Sequence, residues 1–317
     1  MGNHAARPSK FTYSSLIYAW ARSGEKVAAE RAENLLRETD RLAKQGMKDL
    51  KPFAQTYDAV IDCYARSDVK HNADKAETIF YEMLSRFTSG DIDMEPTTRT
   101  FNKVLLAFSR SSNESITRRS EAFIVQWNKL RNEGCIVAKP NVVTFSTLIK
   151  IWASRNGCKG AKGSEKILQY MNDRYLEGDT EMKPDCIAYS CVIEAWSNCR
   201  EKVALERATY LLQDMESKYN AGDASLKPSQ ITYLSFLKVL GNNVDKSSSI
   251  SKVANHILRR MKQLHEQDGS KIEFDQATSL QIIELINSTT CYDKEEHINW
   301  IQSNAARNPL SLRHQHR

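Results

Sequence analysis

The stretch KPNVVTFSTLIKIW at residues 139–152 returns 44 residues later as KPDCIAYSCVIEAW at residues 183–196. Both copies begin with a lysine–proline pair, place an aromatic residue five positions after the proline, and end on a tryptophan. Between these marks the apolar residues stand three and four positions apart, which is the spacing of one helix face. The stretch therefore predicts a helix that begins just after the proline and belongs to a repeated unit.

The 44-residue period runs through most of the chain. Six prolines keep it without a slip: Pro8, Pro52, Pro96, Pro140, Pro184 and Pro228. Five glycines keep it as well: Gly46, Gly90, Gly134, Gly178 and Gly222. A strict period of this length is typical of stacked helical repeats, in which each unit contacts its neighbours.

Each period predicts two helices. Helix A starts after the proline, where a short polar residue can cap it by accepting a backbone N–H; Phe53 is the exception. Helix B follows and stops at the periodic glycine, which readily adopts a left-handed backbone conformation. No stretch alternates with period two over the length of a strand, so we predict an all-α fold.

These marks divide the chain into a lead-in, residues 1–9, followed by six tandem repeats. The repeats cover residues 10–53, 54–97, 98–141, 142–185, 186–229 and 230–275. Helix B of the sixth repeat comes two residues late, which places a two-residue insertion near residues 247–249. Residues 276–307 predict a degenerate seventh repeat or capping helices, and residues 308–317 predict a disordered tail.

Composition limits the classes of partner. The chain has 45 Lys and Arg against 39 Asp and Glu, for a net charge of +6, which suits an anionic partner without demanding one. No apolar run approaches the roughly 20 residues that span a bilayer, so we expect no membrane partner. The first repeat begins close to residue 1, so we expect no targeting peptide within this sequence.

The seven cysteines are odd in number and contain no CxxC pair. They predict free thiols in a reducing compartment and no metal site. Cys63 falls in a column of small residues with Ala19, Ala107 and Ala195, so we expect it to be buried.

We find no catalytic motif in the sequence. Gly157, Gly160 and Gly163 form a glycine-rich patch, but the patch follows a predicted helix and lacks the spacing of a phosphate-binding loop. The seven histidines are scattered and form no HExxH pattern. We therefore predict that the chain is not an enzyme and takes no cofactor or small-molecule substrate.

The two stretches quoted above resemble the opening of a pentatricopeptide repeat, and the helix B pattern is also similar to that family. The resemblance covers residues 8 to about 290. The family repeat is usually about 35 residues long, and the extra residues here fall in helix B and in both connections. The resemblance implies a right-handed superhelical α-solenoid of helix-turn-helix repeats. The longer repeat leaves open whether repeats still match successive RNA bases.

Members of this family bind single-stranded RNA, about one base per repeat, through two polar residues that hydrogen-bond the base. The first-position residue follows the first aromatic of the repeat: Ser14, Asp58, Asn102, Ser146 and Ser190. The closing residue follows the proline that ends the repeat: Thr97, Asn141, Asp185 and Ser229. Phe53 and Leu234 cannot hydrogen-bond, so the resemblance implies that repeats one and six read poorly. As an alternative, the closing residues are only helix caps and the first-position residues only a solvated side of helix A.

Two further columns follow from the resemblance. The apolar side chains that flank bases in the family correspond to Phe11, Val143, Ile187 and Ile231, and Gln55 and Arg99 break this column. The cations that meet phosphates correspond to Arg22, Arg66 and Arg110. A guanidinium group fits phosphate well, but arginines near a helix end also complement its dipole, and that alternative stays open. The Trp20, Trp152 and Trp196 column falls on the buried stripe of helix A and predicts core packing.

The resemblance thus implies an RNA-binding adaptor that acts in RNA processing, stability or translation in a mitochondrion or plastid. The alternative is a protein-binding solenoid, or a structural subunit of a larger assembly, that uses the same surface for a peptide or helix.

Overall fold

The computed structural model of the chain describes residues 8–67, 71–113, 115–155, 157–242, 248–268, 276–287 and 294–305. These residues form helices joined by short connections, without a strand among them, so the prediction of an all-α fold is confirmed. Residues 1–7 of the lead-in and the predicted tail at residues 308–317 lie outside these ranges. Within them, no helix combines the length and the apolar character needed to cross a bilayer.

The chain divides into two compact units, residues 1–151 and 152–317. The first unit contains α1 (Lys10–Ser23), α2 (Ala28–Lys44), α3 (Ala54–Arg66), α4 (Asn72–Thr88), α5 (Thr98–Ser109) and α6 (Ile116–Asn132). Helix α7 (Val142–Ala153) comes at the division. The second unit contains α8 (Cys158–Leu176), α9 (Cys186–Ser197), α10 (Val203–Asn220), α11 (Gln230–Asn242), α12 (Ser248–Asp268), α13 (Gln276–Asn287) and α14 (Lys294–Ser303).

The odd-numbered helices from α1 to α11 are helix A of repeats one to six, and the even-numbered helices from α2 to α12 are helix B. Two helices, α13 and α14, occupy the segment for which we predicted a degenerate repeat or capping helices. The insertion predicted near residues 247–249 falls partly outside the described residues, since these resume at Ser248.

Helix A begins at the predicted caps. The Thr97 hydroxyl accepts the N–H of Thr100 over 3.3 Å, and the Asp185 carboxylate accepts the N–H of Ala188 over 2.8 Å. Phe53, the predicted exception, makes no side-chain cap. Residue type at this one position therefore determines how the first free N–H groups of the helix are satisfied.

Helix B ends at the periodic glycine. Gly46 takes a left-handed φ of 105°, and the N–H of Met47 then donates to the carbonyl of Leu42 over 3.1 Å. This is the closing geometry that glycine permits most easily. In four of the described repeats the residues before the next proline form a single 3₁₀ turn: Lys48–Leu50, Ile92–Met94, Thr180–Met182 and Ala224–Leu226.

Helices pack on their neighbours in chain order within each unit. In the first unit, α3 packs against α1 and α2 on one side and against α4 and α5 on the other. In the second unit, α9 packs against α8, α10 and α11, and α11 also packs against α12 and α13. The aromatic residue five positions after the proline is buried in repeats two to six, as at Tyr57, Phe101, Tyr189 and Tyr233, whereas Tyr13 of the first repeat is half-buried.

The glycine-rich patch allows a close approach of side chain and helix. A Cβ atom added at Gly163 in α8 would come within 2.0 Å of the Trp152 indole, and one at Gly160 within 2.2 Å of the Arg155 carbonyl oxygen. The Trp152 indole therefore occupies the space that a side chain at position 163 would need. Of the three tryptophans for which we predicted core packing, Trp196 is buried, whereas Trp20 and Trp152 are half-buried.

The prediction that all seven cysteines are free thiols is wrong. Cys158, the first residue of α8, forms a disulfide with Cys199, which lies two residues beyond the end of α9. The two residues are 41 positions apart, so no short sequence motif predicts the bond. The packing of α8 on α9 brings them together. Cys63 is free and buried, as predicted. Cys291 lies outside the described residues.

Candidate nucleic-acid interface

Two first-position serines lie at contacts between repeats. The Ser14 hydroxyl is 3.0 Å from the Thr56 hydroxyl, and the Ser190 hydroxyl is 2.7 Å from the Thr232 hydroxyl. Each threonine lies 42 residues after its serine, in the first turn of the next helix A. Because Ser14 and Ser190 are buried, they do not belong to a solvated side of helix A.

Asn102 and Asn141 form a predicted reading pair whose side chains touch. The Asn102 amide donates to Oδ1 of Asn141 over 3.3 Å, and the Thr144 hydroxyl donates to Oδ1 of Asn102 over 2.7 Å. Oδ1 of Asn141 also caps α7 by accepting the N–H of Thr144. An amide carries two N–H donors. Within the described part of the chain, one N–H of Asn102 and both side-chain N–H groups of Asn141 therefore make no hydrogen bond. Both side chains are half-buried.

Ser190 and Ser229 are brought together through Thr232. The Thr232 hydroxyl lies 2.7 Å from that of Ser190 and 3.0 Å from that of Ser229. Ser229 also caps α11 by accepting the N–H of Thr232 over 3.3 Å. The fifth repeat therefore repeats the arrangement of the third, with hydroxyl groups in place of amides.

The other reading candidates are more isolated. The Lys103 ammonium lies 3.6 Å from Oδ2 of Asp58 and donates to the Asp58 backbone carbonyl over 2.9 Å. Oδ1 of Asp58 and the Ser146 hydroxyl are buried and make no hydrogen bond to the described residues. Thr97 and Asp185 act as the helix caps described above.

The four base-flanking candidates share a position and an environment. Each is the second residue of its helix A, and each is largely exposed: Phe11 65%, Val143 53%, Ile187 53% and Ile231 64%. Single exposed apolar side chains are ordinary on protein surfaces, but recurrence at one position of a repeat is not. We call these four side chains the exposed apolar column. Phe11 and Val143 belong to the first unit and Ile187 and Ile231 to the second, and in each unit they suggest a ligand surface.

The first repeat adds an aromatic pair to this column. The ring of Phe11 lies 6.1 Å from the ring of Phe53, and the Lys10 ammonium lies 5.5 Å from the centre of the Phe11 ring. Phe53, which is half-buried, cannot read a base by hydrogen bonding, but its ring and the exposed ring of Phe11, with a cation beside them, suit stacking.

The three arginines of the phosphate column have different environments. Arg66 pairs with Asp62 on its own helix over 2.9 Å. Arg110 donates to the backbone carbonyl of Arg66, the last residue of α3, over 2.8 Å. Arg22 is exposed and makes no ion pair within the described part of the chain. Arg110 thus satisfies the carboxyl end of the preceding helix A, which is the alternative role considered for this column.

Sequence reasoning missed a ladder of charged residues on helix B. In each pair the base stands 42 residues after the acid: Glu33 with Lys75, Glu77 with Arg119, and Glu165 with Arg207. Two of these acids also accept hydrogen bonds from aromatic side chains of the next repeat, since Tyr64 donates to Glu33 and Trp196 to Glu165. Aligning the charges in the 44-residue register would have revealed the ladder, since acid and base recur in fixed columns.

A second polar cluster lies beneath helix A. The Tyr57 hydroxyl donates to Asp40 over 2.9 Å, and Arg86 donates to both Tyr57 and Asp40 over 2.7 Å. In the second unit, Lys218 donates to the Tyr189 hydroxyl over 2.8 Å in the same manner. Burial, followed by the charge of Asp40, raises the pKa of Tyr57, so this hydroxyl stays protonated and serves as a donor.

One group of potential metal ligands occurs in the described residues. The sulfurs of Cys158 and Cys199 and a carboxylate oxygen of Glu201 lie within 4.8 Å of one another. The two sulfurs are bonded to each other, so neither is available as the thiolate that a metal requires.

The sequence matches no model of a known protein family, and a search of curated proteins finds no relative. The resemblance to pentatricopeptide repeats therefore rests on the periodic residues of the sequence alone.

Proposed function

We propose that the protein binds single-stranded RNA along the first turns of its A helices. The exposed apolar column of Phe11, Val143, Ile187 and Ile231 carries this proposal. These apolar side chains are exposed at the same place in four of the six repeats, with Gln55 and Arg99 in the other two, and each can flank a base; such stacking contributes about 1–3 kcal/mol per base.

The polar groups that would read bases belong to the same end of helix A. A closing residue stands two positions before the apolar residue, and a first-position residue stands three positions after it. Asn102 and Asn141 supply the best reader, because their amides retain N–H donors for the pairing edge of a base. Ser190 and Ser229 supply a weaker one, because their hydroxyls already share Thr232.

The proposal includes a right-handed superhelical solenoid in which the repeats stack in chain order. Contacts between helices one repeat apart, found within each unit, support such stacking. Action in RNA processing, stability or translation, in a mitochondrion or plastid, follows from the family resemblance alone.

The apolar column is tested by replacing Val143, Ile187 and Ile231 with serine in one variant. Fluorescence anisotropy with a labelled single-stranded RNA of mixed sequence should show a loss of affinity of at least about tenfold, because flanking contacts to several bases disappear. The matched control is Val125→Ser, which removes a side chain that is 68% exposed on helix B. Equal affinity of the triple variant and the control would contradict the proposal.

Base reading is tested by selection from a random RNA pool at two salt concentrations. The intact chain should enrich single-stranded sequences, with affinity that falls as salt rises. Asn102→Ser should change the base that is enriched at one position, because it removes an amide from the third repeat. A pool that shows no enrichment would remove RNA from consideration.

Protein binding is the second candidate, and burial of the first-position serines favours it. The Ser14 and Ser190 hydroxyls serve contacts between repeats, which leaves less capacity for reading. In this case the RNA selection fails, affinity purification yields a stoichiometric protein partner, and the triple serine variant loses that partner.

A further inference from the structure

The first repeat exposes an apolar face that later repeats bury. Leu16 is 46% exposed, whereas Val60 and Val104, at the same position of repeats two and three, are 0% exposed. Ala19 is exposed as well, although its counterparts Cys63 and Ala107 are buried. The difference arises because the preceding helices cover α3 and α5, whereas no helix among the described residues precedes α1.

The same face carries a cation without the partner that its counterparts have. Lys75 in the second repeat binds Glu33, and Arg119 in the third repeat binds Glu77. The corresponding residue of the first repeat is Arg31, which is exposed and makes no ion pair within the described part of the chain. Arg31 therefore stands where a carboxylate of a preceding helix B would reach it.

In the described part of the chain, Arg22 on α1 lacks the acceptor that Arg110 has, although Arg66, its counterpart in the second repeat, pairs with Asp62 on its own helix. Arg110, two repeats further on, donates to the backbone carbonyl at the end of α3. Arg22 is exposed and has no such helix end beside it among the described residues. The face thus combines an apolar centre with two guanidinium groups at its edge, and both groups match acceptors that the chain's own repeats provide.

We propose that this face of α1 and α2 binds a further α-helical hairpin of the same kind as the chain's own repeats. Its helix B bears a glutamate that binds Arg31, and its helix A ends where the last carbonyls accept Arg22. Continuity with the interface between α1 and α3 and complementarity of charge identify this occupant. The inference concerns assembly and does not depend on RNA binding.

The test supplies a neighbouring repeat to this face, in place of residues 1–9. A copy of residues 54–97 is joined directly before residue 10, which keeps the 44-residue register and places the copied Glu77 to meet Arg31. Hydrogen exchange followed by mass spectrometry should show the amides of α1 exchanging at least about tenfold more slowly than in the unfused chain.

Two matched variants separate docking from simple attachment. Glu77→Gln in the added copy only, or Arg31→Ala in the recipient repeat, should each reduce the slowing. Absence of slowing, or equal slowing in all three fusions, would overturn the proposal. Self-association of the unfused chain that Leu16→Glu abolishes would also overturn it, since a second copy would then occupy the face.

Discussion

Cys63 and Cys135 differ in environment, and this difference determines the chemistry of each side chain. Cys63 lies in α3 with 4% of its surface exposed, and burial, followed by the charge of Asp62, raises the pKa of its thiol to about 12. Cys135 is exposed beyond the end of α6. Since the thiolate is the reactive form, iodoacetamide at about pH 8 should label Cys63 at least about a hundredfold more slowly than Cys135.

Peptide mass spectrometry of labelled protein measures both rates. Labelling in denaturant provides the control, because both thiols should then react at similar rates. Equal labelling in the folded protein would show that α3 is not packed as described.

Glu33 should contribute to stability in a pH-dependent manner. Burial alone would raise the pKa of its carboxyl, but hydrogen bonds from Tyr64 and Lys75 outweigh burial and lower the pKa. A group whose folded pKa is lowered stabilises the protein above its unfolded pKa of about 4.3, and this contribution is lost as pH falls through the folded value.

Glu33→Gln should therefore lower the melting temperature at about pH 7 and change it little at about pH 3. Thermal unfolding followed by circular dichroism measures both values. Glu38→Gln, which removes an exposed pair with Arg41, is the control and should have a smaller effect at about pH 7. A Glu33→Gln deficit of the same size at both values would contradict the role given to Glu33.

The sequence predicted residue chemistry better than residue environment. The closing residues could be predicted as caps because their type and their place after proline are sufficient evidence. The burial of Ser14 and Ser190 could not be predicted, because it depends on how far each helix A rotates toward the next one. The same rotation places Phe11 and Ile187 in solvent, so the exposed column also required the structure.

At the scale of one element, Gly163 in α8 shows that the absence of a side chain can stabilise a helix contact by more than the helix propensity of alanine would add. Alanine favours helix over glycine by about 1 kcal/mol, yet the Cβ of Gly163→Ala would overlap the Trp152 ring. Overpacking of this kind costs about 1–3 kcal/mol. Gly163→Ala should therefore lower the free energy of unfolding, as measured with urea. Lys166→Ala, at an exposed position of the same helix, is the control. A more stable Gly163→Ala variant would contradict the contact.

Element boundaries followed from proline and glycine because both residues constrain the backbone directly. The 3₁₀ turns before the next proline could not be predicted in this way, since their hydrogen bonds depend on local geometry that many sequences permit. The third repeat shows the difference. Its connection lacks such a turn, and there the Trp127 indole donates to the Ala138 carbonyl over 2.9 Å.

On the scale of the whole molecule, the Cys158–Cys199 bond links the first residue of α8 to the connection that follows α9 in the second unit. A cross-link of this loop length stabilises a protein by about 2–4 kcal/mol, chiefly by restricting the unfolded chain. Cys199→Ala should lower the melting temperature of the second unit under non-reducing conditions, and a reductant should lower that of the intact chain. Calorimetry measures both changes. Cys135→Ala is the control and should behave as the intact chain does.

The period predicted which helices are neighbours within each unit, because a strict repeat leaves few other ways to bury both apolar stripes. It did not predict the disulfide, whose 41-residue separation is meaningful only after the ends of α8 and α9 are placed. The charged ladder could have been predicted in part. Its acids and bases recur at a fixed spacing in the sequence, but a single charged residue does not indicate which residue it pairs with.

Many bonds between repeats join residues about one repeat length apart, such as Asn102 and Asn141, 39 positions apart, and Asp40 and Arg86, 46 positions apart. Duplication or loss of a 44-residue block inside a unit would therefore leave each surviving side chain opposite a partner of the same type. An insertion of any other length within a helix would change the spacing of the pairs that span it. Copy number can thus change over evolutionary time while the chemistry between copies is inherited intact.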